Sequence, residues 1–188
     1  MPGRTPAEAI KAFLEPFRSA LTVLDGYARI SKPPGPYRKG GIYTWTLNDA
    51  DGMSLGHSGT FYAAMTFAVV DSDPARHEPG HQGAYRCSTR GYNYKLATPR
   101  SADLWRMHWH PEGKSAVKGP HLHLPPDLGR HLPTARFTFE HAVRWLVEYD
   151  APLRCTAREA KDLLAELEVP HLLYRSWSGS PDGSLIPL

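Results

Sequence analysis

The run Phe61 to Val70 (FYAAMTFAVV) constrains the fold most. It is apolar at nearly every position, too short for a membrane span, and flanked by turn residues, so it reads as a buried strand. A buried strand needs neighbours on both edges and cover on its faces, which commits the chain to a sheet. Glycine and proline make up 34 of 188 residues, well above the usual ~12%, and this argues against an all-helical bundle. Ile42 to Leu47 supplies a second strand, and Tyr85 to Ser88 and Tyr92 to Leu96 read as two more, joined as a hairpin through Arg90-Gly91.

Helices fall at the two ends. Thr5 and Glu8 have the spacing of a capping box, with Pro6 at the first helical position, and Ile10, Phe13, Leu14 and Phe17 then mark one face; Pro16 is expected to kink the path. In the last third, Thr138 is a natural N-cap before Phe139, Ala142, Val143 and Leu146, which recur at helical spacing. A second capping box, Thr156 to Glu159, opens a helix that Pro170 is expected to end. The expected class is α+β, with an N-terminal helix, a mostly antiparallel sheet and C-terminal helices on one face. The expected organisation is a single domain over 1–175 and a tail over 176–188.

The segment Asp103 to Leu124 (DLWRMHWHPEGKSAVKGPHLHL) carries the chemistry. Strand side chains alternate between faces, which puts Trp105, Met107 and Trp109 on one side and Arg106, His108 and His110 on the other. In the same way His121 and His123 oppose Leu122 and Leu124. A connection containing Pro111, Gly113 and Gly119 lets the two halves pair antiparallel, so that Arg106 and four imidazoles share a face. His131 follows closely enough to join them.

Two kinds of chemistry fit such a face. Imidazoles titrate near neutrality, so a pair can act as base and acid on an RNA phosphodiester while Arg106 stabilises the phosphoryl charge, with no metal required. Alternatively, paired HxH elements offer His108, His110, His121 and His123 as neutral nitrogen ligands to a divalent transition metal. Spacing does not choose between them, and a third reading stands beside both: a non-catalytic nucleic-acid or protein-binding module in which the histidines are only polar surface.

Charge distribution favours a polyanionic partner. Between Ala84 and Arg136 there are nine Lys/Arg against three acids, although the net charge of the whole chain is only +3. Lys95, Lys114, Lys118 and Arg130, within this basic stretch, are the candidates for contact with nucleic acid. Tyr85, Tyr92, Tyr94, Trp105 and Trp109 are interleaved with them, but the alternation sends both tryptophans to the core.

Several classes have no support. There is no Walker A loop or GxGxxG motif. No run reaches the roughly 18 apolar residues of a membrane span. The N-terminus lacks an apolar signal core, and Cys87 and Cys155 form neither a disulfide framework nor a CxxC pair, so a cytoplasmic setting is expected. A cysteine nucleophile at Cys87 stays open.

An aromatic and basic strand (Tyr92 to Leu96), a strand ending in His-Pro (Leu104 to Pro111), a Pro-His-x-His element (Pro120 to His123) and a helix opening with Thr (Thr138 to Tyr149) follow one another in this order. In that order of parts the chain resembles the TumE family of bacterial toxin–antitoxin toxins. The resemblance implies a ribonuclease-like toxin or defence effector, an RNA substrate and a cognate antitoxin as partner. By matching position it carries over His108 or His110, His121 and His123.

Overall fold

The structure, a computed structural model, describes residues 2–72, 83–100, 102–113 and 116–174, the last four by their backbone alone. The expected tail over 176–188 lies outside the described residues. The elements are α1 (Pro6–Leu21), β1 (Ile30–Ser31), β2 (Ile42–Leu47), β3 (Met53–Ser54), β4 (Thr60–Asp71), β5 (Tyr85–Ala97), β6 (Asp103–Trp109), β7 (His121–Leu124), β8 (Asp127–Pro133), α2 (Phe139–Glu148) and α3 (Ala157–Tyr174). The protein is α+β. Its eight strands form one antiparallel sheet in the order β1-β2-β4-β5-β6-β7-β8, with β3 paired to β4 off this path.

Helix starts follow local chemistry. Thr5 Oγ1 accepts from the Glu8 N–H at 3.2 Å, and the Glu8 carboxylate accepts from the Arg4 N–H at 2.8 Å. Thr156 and Glu159 form a reciprocal box: the Glu159 N–H donates to Thr156 Oγ1, and the Thr156 N–H donates to the Glu159 carboxylate. Thr138 Oγ1 accepts from the His141 N–H at 2.9 Å. α1 contains Pro16 within its span, and α3 continues through Pro170, where the sequence expectation placed its end.

The core lies between the helices and one face of the sheet. Phe61, Ala63, Met65, Phe67 and Val69 of β4 face it, and Tyr62, Ala64 and Thr66 are only half-buried on the opposite face. This run is therefore one-sided up to Phe67, although its composition suggested burial on both faces. The aromatic centre joins α1, the sheet and α2. Phe17 packs against Trp45 and Phe139 at centroid distances of 5.5 and 5.3 Å, and Tyr94 packs against Phe139 at 5.7 Å.

The expected hairpin at Arg90-Gly91 does not exist. β5 runs unbroken through both residues, because the long β4 pairs with both of its halves. Its register changes from Thr66↔Gly91 to Phe67↔Thr89, leaving Arg90 as an extra residue in a bulge.

Candidate functional site

β6 and β7 pair antiparallel with Arg106 opposite His123, Met107 opposite Leu122 and His108 opposite His121. Trp105, Met107, Trp109 and Leu122 belong to the core, so Arg106 and the histidines occupy the face away from the helices. A further register shift, between Leu122 and Leu124 of β7 where it meets β8, accompanies the approach of His131. Its ring lies 4.6 Å from that of His121 and 4.8 Å from that of His123.

The imidazoles are close together. Ring centroids of His108, His110 and His121 are 5.5, 5.5 and 5.2 Å apart, and His123 lies 5.2 Å from His108 and 5.0 Å from His121. Four imidazoles on one tetrahedral ion, with metal–nitrogen bonds of about 2.0–2.1 Å, have centroids about 5.2 Å apart. Candidate ligand atoms of His108, His110 and His121 fall within 4.8 Å of one another, and so do those of His121, His123 and His131.

The nitrogens are also prepared. His121 Nδ1 is 2.9 Å from the Gly119 carbonyl, and His123 Nδ1 is 2.7 Å from that of Leu128. A carbonyl can only accept, so each Nδ1 carries the proton and each Nε2 presents a lone pair. Carbonyl support of this kind orients metal-ligating histidines. His108 Nε2, His110 Nδ1, His121 Nε2 and His123 Nε2 are all shielded from solvent and have no hydrogen-bond partner. Burial pushes His108 down to about 3, helped by the Arg106 charge and the other imidazoles. Burial also lowers His121 and His123, and their carbonyl hydrogen bonds oppose it. These rings are neutral at pH 7, the form in which imidazole binds a metal.

The cations are placed less uniformly. Arg106 Nη2 pairs with the buried Asp103, whose other oxygen is 3.6 Å from Lys95 Nζ. Lys95 also sits 4.5 Å above the Tyr62 ring. Lys118 donates to the Gly113 carbonyl in the connecting loop, and Arg130 is exposed on β8. Lys114 lies outside the described residues. Cys87 is buried, with its thiol pushed up to about 12, so it carries essentially no thiolate at neutral pH.

A cleft of about 380 Å³ opens beside His108 and His110 on the same face. Arg90 lines it. Sequence reasoning placed Arg90 in a turn and missed it, because nothing in the local pattern signals a bulge. No family model, curated protein or solved structure matches the chain. Among the described residues, no helix is long and apolar enough to cross a membrane.

Proposed function

We propose that the histidine face holds one divalent transition metal, zinc first among the candidates, and that the protein is a metal-dependent ribonuclease-like effector. One observation carries this reading: ring nitrogens of His108, His110, His121 and His123 are buried without partners, and candidate ligand atoms of the first three lie within 4.8 Å of one another. An orphaned buried nitrogen costs roughly 1–3 kcal/mol, and a shared ion would satisfy all of those that reach it at once. Arg106, with Lys95 behind it, supplies positive charge beside the seat for a phosphodiester. The TumE resemblance adds an antitoxin as the partner that would silence such an activity.

His121 belongs to both candidate triads and has a single nitrogen to give. The two triads are therefore alternative seats for one ion. His108, His110 and His121 form the better seat, because all three nitrogens are orphaned and two of the residues line the cleft. Three protein ligands with one position left open are the arrangement of a catalytic zinc, which lowers the pKa of a bound water to about 7. In acid–base cleavage by the imidazoles alone His108 would be a poor general acid, since burial keeps it neutral down to about pH 3.

The test uses protein purified without a histidine tag. Metal analysis should find close to one equivalent per chain after loading, and chelation should abolish cleavage of single-stranded RNA. Cleavage that persists in chelator would replace this mechanism with metal-free acid–base catalysis. A chain that takes up no metal would refute the seat itself.

A further inference from the structure

We propose that Arg90 and the cleft it lines bind one nucleotide of a single-stranded nucleic acid, with the phosphate on the guanidinium and the base on the sheet. This deepens the reading of the histidine face by naming what lies beside the ion. The binding itself depends only on the cleft.

The bulge is the first support. Thr89 pairs with Phe67 and turns to the core, where its Oγ1 meets Met65 Sδ at 3.6 Å. Gly91 pairs with Thr66 on the open face. In an unbroken ladder these two positions would be adjacent, and Arg90 has no slot between them. The bulge takes it out of the alternation and lets it line the cleft.

The second support is the state of the guanidinium. Arg106, Arg144 and Arg154 each pair with a carboxylate. Among the described residues no carboxylate pairs with Arg90, and its Nε is shielded from solvent without a hydrogen-bond partner. Arginine presents a planar fork of donors that matches two oxygens of a phosphate. A half-buried fork with an unused donor, set in a cavity, is a seat for an oxyanion.

The cleft fits the rest of a nucleotide. Its volume lies near the lower end of the roughly 300–1,000 Å³ of small-ligand sites. Ala64 and Thr66 line it with small side chains that form its floor, and Ile42, 60% exposed, adds an apolar side chain. A planar base can lie on such a floor. Asn93 and Glu112 offer an amide and a carboxylate to base edges and ribose hydroxyls. The open face continues along β5 to Lys95, two residues beyond Asn93, so a strand leaving the cleft meets further positive charge.

The experiment titrates the full chain, kept in chelator, with adenosine 5′-monophosphate, inorganic phosphate and a five-nucleotide RNA, followed by calorimetry. Saturable binding of the mononucleotide is expected. Arg90→Gln should weaken it by roughly 10- to 100-fold, the range for losing hydrogen bonds to a charged group. Arg90→Lys should fall between, because the charge remains and the fork is lost. Circular dichroism of each variant establishes that it is folded, and the milder lysine variant serves if the glutamine variant is not. Tighter binding of the RNA than of the mononucleotide supports a strand as the source. Phosphate binding as tightly as the mononucleotide would overturn the role of the floor. Unchanged affinity in both variants would overturn the role of Arg90. Because no metal is present, failure of the metal seat leaves this result unaffected, and the reverse also holds.

Discussion

The shared position of His121 sets both the stoichiometry and the mutational pattern of metal binding. His121 commits Nδ1 to the Gly119 carbonyl and keeps only Nε2 for a ligand bond. Zinc titrated into metal-free protein should therefore saturate at one equivalent. An ion that binds only the folded chain stabilises it by about 2.7 kcal/mol at a hundredfold excess over Kd. For a chain of this size each kcal/mol raises Tm by about 2–4 °C, so an increase of roughly 5–11 °C is expected. Thermal unfolding by fluorescence, with zinc and with chelator, reads the shift. His121→Ala removes a ligand from both triads and should abolish it. His108→Ala should remove most of it. His131→Ala leaves the first seat whole and should retain most of it. Two equivalents of zinc, or a shift that depends on His131 and not on His108, would refute the single-seat argument.

Three further expectations follow from the same geometry. In metal-free protein, His108, His121 and His123 have folded values below the ordinary histidine value of 6.5. The unfolded chain then binds more protons below about pH 6.5, so stability is full above that pH and falls as acid is added toward the folded values. Urea unfolding at pH 7.5, 6 and 5 checks this, and a flat profile contradicts it. Phe139→Ala should cost about 3–5 kcal/mol in the same assay, because its ring is fully buried among Phe17, Trp45, Phe61 and Tyr94. Thr138→Ala should cost about 1 kcal/mol, because the hydroxyl caps α2 and also donates to the Glu168 carboxylate at 3.1 Å on α3; a change within error would mean that solvent replaces it.

The parts of the molecule that obey a simple period were legible in the sequence. Period-two alternation over Asp103 to Leu124 sorts Trp105, Met107 and Leu122 from the histidines, and the structure keeps that division. Thr5, Thr138 and Thr156 mark helix starts because their caps are made by residues three positions away. What stayed hidden depends on partners remote in sequence. Whether Arg90-Gly91 is a turn or mid-strand is decided by β4 lying alongside, more than twenty residues earlier. Pro170 lies inside α3, although the local rule for proline ends the helix there. The protonation state of His121 and His123 depends on the carbonyls of Gly119 and Leu128, which become acceptors only once the turns around them are formed.

The bulge at Arg90 separates what the fold needs from what the site needs. If Arg90 were deleted, Gly91 opposite Thr66 and Thr89 opposite Phe67 would become consecutive pairs, and each side chain would already be on its proper face. Deletion of a residue from the middle of a strand normally turns every side chain beyond it to the wrong side. Here it should restore a regular ladder and remove a half-buried unpaired donor. The deletion variant is therefore expected to fold, with a urea midpoint equal to or above that of the wild type, and to take up one equivalent of zinc as before. It should lose mononucleotide binding, since the cleft would keep its floor and lose its guanidinium. A protein that fails to fold, or unfolds at markedly lower urea, would mean that the bulge is required to set the twist of the sheet. A retained nucleotide affinity would mean that the cleft binds without its cation. The expected combination, a more regular sheet with an empty cleft, would identify Arg90 as a residue kept for its ligand at the expense of the ladder.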